Sequence, residues 1–412
     1  MTDRGRAGTS VRTIEAAEIG PWVTCMGVGF LHPTAEGYAE YFLGDVDLDR
    51  TWGAFDGDRV VGTLRSFATP FTMPGPTEVT VAALTNVTVS PTHRRRGLLG
   101  QMITGDLRAA AARGEAMGIL IASEYPIYGR FGYGPAVESA AYSLDLTATR
   151  FLHDDDGTVE LVDLATLRKE APALYERFRV RQPGSIDRDD RWWDRVLHQV
   201  EVPGREPHRG YQAVYRSPRG EAEGYVRYRA SEDWSAMRPK GVLTVDELLA
   251  LTPDAYQRLW RYCAEVDLVT KLEASDRATA EPLPWLLTDA RALRQTGRFD
   301  FVWVRVLDTC ATLAARRYPV EGRLVVEVVD PLGFASGRYV LEGGPDGAAC
   351  RRTDEAADLA MGVAALGSLS MGATSPHVLA AAGAVEEERG GALDRAEAML
   401  RATPVPWCTT WF

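Results

Sequence analysis

The sequence predicts a mixed α/β (α+β) fold, in which strands and helices follow one another without a strict β–α–β alternation. Residues 78–90 alternate apolar with other side chains at a period of two, which predicts a strand with one buried face. Residues 98–107 repeat apolar side chains every three to four positions, which predicts an amphipathic helix. Apolar runs at 224–228, 241–245 and 322–328 predict further strands. Strands and helices are therefore expected along the whole chain.

Length and charge limit the classes of function. The chain has 412 residues, two to three times a typical domain of ~150 residues, so more than one domain is expected. Its 46 basic and 57 acidic residues give a formal net charge of −11. Because phosphate affinity needs a basic surface, this charge disfavours a nucleic-acid binder. Small cationic molecules or basic peptides are the expected partners.

Two interruptions divide the chain into three predicted domains. The polar run at 153–157 breaks the apolar periodicity and indicates a boundary near residue 150. The segment Pro282-Leu283-Pro284 precedes a strand-like run at 301–306, which is predicted to open the third unit. The predicted domains are 1–150, 151–295 and 296–412.

The cysteines and the apolar segments predict a cytoplasmic protein. The five cysteines are scattered and form neither a disulfide framework nor a C-x-x-C metal motif. Residues 1–12 lack the apolar core of a signal peptide, and residues 359–373 fall short of the ~20 residues that span a bilayer. Asp154 to Asp156 are interpreted as a solvated connection rather than a metal site. Reduced thiols, no membrane partner and no metal are therefore expected.

A basic turn joins the predicted strand 78–90 to the helix that begins at Leu98. It contains three successive arginines, Arg94 to Arg96, followed by Gly97. The N–H groups and the dipole of a helix N-terminus attract anions, and a glycine permits close approach. The turn is neither a P-loop, G-x-x-x-x-G-K-[ST], nor a Rossmann fingerprint, G-x-G-x-x-G. It predicts a phosphate site of another type.

Two motifs carry a resemblance to a known family. The order strand, V-x-V-x-P-x-x-R-x-x-G, helix resembles the coenzyme A site of the GCN5-related N-acetyltransferases, whose pattern is [RQ]-x-x-G-x-[GA]. Arg94 and Gly97 match that pattern, whereas Leu99 stands where a small residue is expected and Gly100 follows it. The segment SEYPIYGRFGYGPA at 123–136, with the preceding THRRRGLL, resembles the Eis (enhanced intracellular survival) branch, which acetylates aminoglycosides at several amines.

The resemblance implies a fold, an assembly and a co-substrate. It implies a catalytic acetyltransferase domain, a degenerate acetyltransferase-like domain, and a sterol-carrier-protein-like domain whose C-terminus reaches the active site. Protomers of this branch assemble as hexamers, so a homohexamer is expected. The co-substrate is acetyl-CoA, and no metal is required.

By the same resemblance, acetyl-CoA contacts three segments. The backbone of one strand would pair with the pantetheine arm, the basic turn would hold the pyrophosphate, and the end of the next strand would add a contact. An ordinary core strand, a solvated arginine run and a turn-capping serine are the alternatives. The expected cofactor-binding residues are Val87, Thr88, Val89, Arg95, Arg96, Gly97, Leu98, Leu99, Gly100, Ser123 and Glu124.

Tyr128 is the expected general acid. A tyrosine with a pKa near ~10 is protonated at neutral pH and can protonate a departing thiolate, whose thiol has a pKa near ~8.5. Tyr125 and Tyr133 are competing candidates from the same segment, and any of the three could be a half-buried ring with a satisfied hydroxyl. The resemblance selects Tyr128, the first tyrosine of IYGRFGYG.

The attacking amine needs a base, and the resemblance implies the main-chain carboxylate of Phe412. The tail TPVPWCTTWF is too apolar for a frayed end, which supports a buried terminus. A tail that docks for packing only is the alternative, and His32, His93 and Glu124 are other candidate bases. The branch commonly has an acidic residue where Trp411 stands, so one anion of the expected cation pocket is missing.

The sequence therefore predicts transfer of acetyl from acetyl-CoA to primary amines, with aminoglycoside-like polyamines as the first acceptors. Acetylation of lysines on basic peptides or proteins is an alternative. A non-catalytic acyl-CoA- or lipid-binding protein is another. Six aromatic residues are either channel or core: Trp22, Phe30, Tyr38, Tyr41, Trp192 and Trp193.

Overall fold

The structure is a computed structural model that describes residues 8–153, 156–206 and 210–412. In these ranges the strands are β1 (Thr9–Thr13), β2 (Thr51–Asp56), β3 (Arg59–Met73), β4 (Thr77–Val89), β5 (Met117–Ile121), β6 (Gly134–Asp145), β7 (Thr158–Val162), β8 (Tyr211–Arg216), β9 (Ala222–Ser231), β10 (Trp234–Ser235), β11 (Arg238–Pro239), β12 (Gly241–Ala250), β13 (Val269–Arg277), β14 (Leu293–Val306), β15 (Gly322–Val329), β16 (Gly337–Gly344), β17 (Gly347–Arg352), β18 (Leu359–Gly362) and β19 (Val385–Glu387). The α-helices are α1 (Ile19–Gly29), α2 (Tyr38–Leu43), α3 (Leu98–Ala112), α4 (Tyr125–Tyr128), α5 (Leu164–Arg179), α6 (Asp190–Val196), α7 (Pro253–Ala264), α8 (Thr309–Ala314), α9 (Val363–Ser370), α10 (Pro376–Ala381) and α11 (Ala392–Leu400).

One continuous sheet runs through the first three quarters of the chain. In the described residues its order is β1-β2-β3-β4-β5-β14-β6-β13-β12-β9-β8-β7. Strand β14 lies between β5 and β6 and pairs antiparallel with both. The expectation that residues 301–306 open the third unit is therefore wrong, because this run completes the large sheet. The apolar sequence of residues 301–306 suits a strand in either unit. Only the long-range pairing with β5 and β6 decides which sheet these residues join.

The C-terminal part forms a second sheet of order β17-β16-β15-β18-β19. Helix α9 connects it to the large sheet by packing on β6 and β14. The approach is close: a Cβ at Gly134 would collide with the carbonyl oxygen of Ala364, and one at Gly367 would collide with that of Val304. One apolar core consequently includes buried residues from both sheets, such as Ile119 and Val302 of the large sheet and Val326 of the second.

The predicted strand and helix around the basic turn are confirmed within one residue. The predicted strand 78–90 corresponds to β4, and the helix begins at Leu98 as expected. Helix α3 buries Leu98, Met102, Ile103 and Leu107 against the sheet, which is the apolar stripe that the three-to-four spacing predicts.

The mixed α/β class is also confirmed. Asp156 of the predicted polar connection is exposed, whereas Asp154 and Asp155 lie outside the described residues. No helix in the described ranges is both long and apolar enough to cross a membrane.

Candidate active site

Strands β4 and β5 separate at the middle of the large sheet. They pair in parallel only at residues 82–84 of β4 and 118–120 of β5, although β4 continues to Val89. A bulge marks the separation: Asn86 has φ +54°, and its carbonyl oxygen accepts a hydrogen bond from the Thr63 hydroxyl at 2.7 Å. A bulge bends its strand. In the described chain no strand therefore pairs with Val87, Thr88 and Val89 on that edge.

The N-terminus of α3 lies directly after this edge. Gly97 precedes the helix with φ +79°, a conformation that favours glycine, and no side chain caps the helix. The first amides, at Leu98, Leu99 and Gly100, have no intrahelical acceptor, as in any helix start. Arg95, Arg96 and Gly97 are exposed around them. The amides, the helix dipole and the flanking arginines together suit a phosphate group.

Position 99 departs from the expected pattern without closing this site. Leu99 packs its side chain toward the core formed with α3, so only its backbone is offered to a ligand. A Cβ at Gly100 would meet Phe131 at 3.8 Å, an ordinary contact, so this glycine is not required for packing. The residues at the free strand edge and at the helix start thus fit the extended arm and the pyrophosphate of coenzyme A.

A cavity of about 1350 Å³ opens beside the β4–β5 gap. It is bordered by helices α1 and α2, strands β3 and β4, the end of β5, the loop 186–189 and the chain end. Of the predicted site residues it includes Val87, Ser123, Tyr128 and Phe412. Four of the six aromatic candidates line it (Phe30, Tyr38, Tyr41 and Trp192), whereas Trp22 and Trp193 are buried in core clusters.

Tyr128 is held at the wall of this cavity. It ends α4, its side chain is only 4% exposed, and its ring meets that of Tyr133 edge to face at 6.1 Å. In the described residues its hydroxyl has no hydrogen-bond partner, so it is available to a ligand. Burial, with a smaller contribution from the Glu124 carboxylate, raises the pKa of Tyr128 to about 12. Tyr128 therefore stays protonated throughout the physiological range.

The competing tyrosines are placed differently. Tyr125 is 60% exposed and rests on the edge of Trp303, and it is not among the residues that border the cavity. Tyr133 is fully buried, and burial raises its pKa far above the ordinary value. Neither hydroxyl shares the cavity with Phe412, so the geometry favours Tyr128.

The C-terminal tail reaches the cavity along the second part of the large sheet. The buried guanidinium of Arg188 donates to the Thr410 hydroxyl at 2.8 Å and to the Thr409 carbonyl at 3.0 Å, and pairs with Glu247 at 2.8 Å. Trp407 donates from its indole to the carbonyl oxygen of Asp276 at 2.9 Å. These contacts bring the ring of Phe412 against Phe67 of β3. The end of the tail therefore lies against β3.

One residue of the tail does not behave as expected. Trp411 is 57% exposed, although the apolar ending predicts burial. Its ring meets Phe301 edge to face at 4.8 Å, and its indole donates to the Asp276 carboxylate at 3.1 Å. This outward position is possible because the ring is half covered and its N–H is satisfied.

The two candidate histidine bases are separated by the structure. His93 is buried and both ring nitrogens have partners, Asp56 at 3.0 Å and Thr92 at 2.8 Å. His32 borders the cavity, as Phe412 does. The geometry therefore leaves His32 and Phe412 as candidates and removes His93.

Sequence reasoning missed the charged residues of the cavity wall. They are Asp45, Arg65, Asp187, Asp189, Arg195 and Arg205. They come from several separate segments, and no motif connects them. Only the alternation within β3, which places Arg65 among buried neighbours, offered a signal.

Comparison with known proteins agrees with this architecture. Residues 10–136 and 184–306 each match the family described as Acetyltransferase (GNAT) domain, and residues 309–409 match the Sterol carrier protein domain. A protein of Streptomyces avermitilis described as an uncharacterized N-acetyltransferase is 42% identical over 413 residues, which covers 98% of each chain.

The N-acetyltransferase Eis of Mycobacterium tuberculosis is 36% identical over 364 residues and 86% of each chain. The crystal structure of Eis1 from Mycobacterium abscessus superposes with a TM-score of 0.86 at 33% identity, covering 98% of this chain and all of that one. The chain belongs to the Eis family of GNAT N-acetyltransferases.

Membership of the Eis family confirms that the protein is an N-acetyltransferase. It also confirms the expected fold of two acetyltransferase domains and a sterol-carrier-protein domain. Apart from residues 301–306, which belong to the large sheet, the boundaries 1–150, 151–295 and 296–412 stay predictions. The roles of the individual site residues likewise stay predictions.

Proposed function

We propose that the protein transfers the acetyl group of acetyl-CoA to a primary amine bound in the 1350 Å³ cavity. GNAT acetyltransferases use acetyl-CoA, and the residues at the β4 edge and the α3 start suit that co-substrate. The observation that carries the proposal is that Val87, Tyr128 and Phe412 border one cavity. The reacting carbon is the carbonyl carbon of the acetyl group. It would then be surrounded by the edge of β4 that binds the co-substrate, the hydroxyl of Tyr128 and the carboxylate of Phe412.

The free edge of β4 would orient the thioester. The arm of the co-substrate would pair with the backbone at 87–89, and one N–H there would face the carbonyl oxygen as negative charge develops on it. The amides at the start of α3 would bind the pyrophosphate, and Arg95 and Arg96 would balance its charge. No covalent enzyme intermediate is needed, because the amine can attack the carbonyl directly.

Tyr128 would supply one proton and the base would remove another. A carbon–nitrogen bond forms, the carbon–sulfur bond breaks, and the Tyr128 hydroxyl protonates the departing sulfur. The raised pKa of Tyr128 keeps its hydroxyl protonated, and therefore able to donate, at neutral pH. The amine proton would pass to the main-chain carboxylate of Phe412, directly or through water.

Aminoglycoside-like polyamines are the first acceptors in this proposal, in line with the sequence resemblance and the acidic Asp187 and Asp189 of the cavity wall. Lysine side chains of basic peptides are the alternative acceptor. The lipid-binding alternative has less support, because an apolar cavity between the second sheet and α9 measures only about 20 Å³, room for little more than one water.

A homohexamer is also proposed, and light scattering would test it.

The experiment is release of free thiol from acetyl-CoA in the presence of aminoglycosides, diamines and lysine peptides. Binding of acetyl-CoA alone, measured by calorimetry, is the companion measurement. Turnover with small amines supports the proposal, and turnover with peptides alone would replace the acceptor. Binding of acetyl-CoA without any turnover would favour the non-catalytic alternative.

A further inference from the structure

The basic turn between β4 and α3 has one buried side chain. Residues 91–97 are otherwise exposed, whereas His93 is only 6% exposed. A turn whose side chains are exposed has few packing contacts, so its position relative to the sheet depends on the residues that are buried. His93 is therefore the side chain that attaches this turn to the domain.

Both nitrogens of the His93 ring are hydrogen-bonded. Nε2 lies 3.0 Å from the carboxylate of Asp56, and Nδ1 lies 2.8 Å from the hydroxyl of Thr92. Because a carboxylate can only accept, Nε2 carries a proton and donates to Asp56. In the neutral ring, Nδ1 then accepts from the Thr92 hydroxyl. The ring is consequently fixed in position and in orientation.

Asp56 is a rigid anchor for this contact. It ends β2, where it pairs with Thr9 of β1 and with Arg59 of β3. The hydrogen bond from His93 lowers the pKa of Asp56, and the positive charges of Arg96 and Arg59 lower it further, against an opposing effect of desolvation. The carboxylate is therefore ionised at neutral pH, and the turn is attached to the sheet through a charged acceptor.

The backbone of the turn needs such an attachment. Arg95 and Gly97 both have left-handed conformations, with φ +63° and +79°. A glycine adopts this region readily, but an arginine there costs free energy that other contacts must offset. The backbone N–H of His93 also donates to the carbonyl oxygen of Ser90 at 2.8 Å. The ring and the backbone of His93 thus both hold the turn in this shape.

We infer that His93 and Asp56 are positioning residues for the co-substrate: they hold the basic turn so that its arginines and the first amides of α3 meet the pyrophosphate of acetyl-CoA. In this assignment neither side chain contacts the ligand or the reacting atoms. The inference rests on the proposed function, because it concerns the pyrophosphate end of the same co-substrate. It also gives a function to His93, whose two hydrogen bonds exclude it as the base.

The test compares two acetyl donors, acetyl-CoA and S-acetylpantetheine, which has the same thioester and arm but no phosphate. Loss of the attachment should weaken only the interactions with the phosphates. Asp56→Ala and His93→Leu should therefore raise the KM for acetyl-CoA about tenfold, the size expected of a hydrogen bond to a charged group, and keep kcat. The KM for the acceptor amine and the kcat/KM for S-acetylpantetheine should stay at their wild-type values.

Asp58→Ala is the matched control, because Asp58 is an exposed aspartate in the turn that follows β2. Either alanine variant removes one negative charge near the basic turn. By charge alone, loss of an anion near a phosphate site lowers the KM for the phosphate ligand. A raised KM in Asp56→Ala without a rise in Asp58→Ala would therefore identify the hydrogen bond to His93 as the cause.

His93→Gln is the conservative variant, since its side-chain amide can still donate toward Asp56, and it should recover part of the affinity lost in His93→Leu. Melting temperatures verify folding. If His93→Leu does not fold, Asp56→Ala decides the question, because the Asp56 side chain is 45% exposed and its removal leaves no cavity.

An unchanged KM for acetyl-CoA in Asp56→Ala would overturn the inference. An equal loss of kcat/KM with both donors would also overturn it, because the pair would then serve the stability of the domain in general. In both cases the wild-type protein still transfers acetyl, so the proposed function stands. Absence of turnover by the wild-type protein with either donor would mean that the proposed function itself has failed.

Discussion

The ring of Phe412 meets the ring of Phe67 edge to face, with centroids 5.9 Å apart. Phe67 belongs to β3 of the first domain, whereas the tail that carries Phe412 is held by Arg188 and Asp276 of the second. The contact therefore places the chain end in the cavity that Tyr128 borders. Its position is set by packing as well as by hydrogen bonds.

We predict that extending the chain beyond Phe412 by a few residues abolishes turnover, because the terminal carboxylate becomes a neutral amide and is displaced. Phe412→Leu keeps the carboxylate and most of the apolar contact, so it should cost far less. Steady-state thiol release measures both, with melting temperature and oligomer size as controls. An extended protein that remains folded and turns over normally would rule out the carboxylate and leave His32, which shares the cavity, or a bound water.

We predict that Tyr128→Phe lowers kcat by ~10² or more while the affinity for acetyl-CoA is kept, because the variant loses only the proton donor. Tyr125→Phe is the matched control, since that ring is exposed and lies outside the cavity wall. The measurements are kcat and calorimetric affinity. Turnover of Tyr128→Phe within a few-fold of wild type would remove this residue from the mechanism.

The pH profile should reflect the raised pKa of Tyr128. Its pKa of about 12, against 10.0 for an ordinary tyrosine, means that the protonated donor persists well above neutral pH. We therefore expect no alkaline loss of kcat from this group up to about pH 10.5. For the same reason its contribution to stability is complete below about pH 10 and is lost as the pH rises toward 12. An alkaline limb near pH 10 that disappears in Tyr128→Phe would contradict this.

The role of Gly97 in binding acetyl-CoA can be tested by comparison with Gly114, because the two glycines lie just beyond opposite ends of α3. Gly97 and Gly114 flank α3 with φ +79° and +81°, and a Cβ at either position meets nothing closer than 4.0 Å. Alanine should therefore cost similar backbone strain at each, about 1 kcal/mol. We predict that Gly97→Ala raises the KM for acetyl-CoA several-fold and that Gly114→Ala does not. An unchanged KM in Gly97→Ala would move the phosphate site elsewhere.

Arg188 forms a clamp on the tail through its hydrogen bonds to Thr409 and Thr410. The effect of this clamp on turnover can be tested separately from its effect on stability. Arg188→Met alone should destabilise the protein by about 3–5 kcal/mol, because it leaves the Glu247 carboxylate buried and unpaired. Adding Glu247→Gln removes that charge and keeps an acceptor for the Tyr225 hydroxyl, now at 2.9 Å, so most of the stability should return. We predict that the double variant remains slow in thiol release because Thr409 and Thr410 are no longer held. Wild-type turnover in the double variant would mean that the clamp does not position Phe412.

The local elements around the site could be predicted from sequence, whereas the cavity wall could not. The period of β4 and the spacing in α3 are properties of contiguous residues, so they appear directly in the chain. Asp45, Arg65 and Arg195 meet only after distant segments have packed, so no local pattern reports their proximity. The position of β14 was wrongly expected for the same reason: its partners, β5 and β6, lie more than a hundred residues earlier.

The position of β14 also delays completion of the large sheet during synthesis of the chain. The gap between β5, which ends at Ile121, and β6 is filled only by residues that begin at Leu293. At the usual rate of about 5–20 residues per second, the ribosome needs roughly 10–30 s to make the intervening chain. During that interval the edges of β5 and β6 have no permanent partner, so the nascent acetyltransferase domain is exposed to mispairing and to chaperones. A fragment that ends near residue 150 would keep this defect permanently.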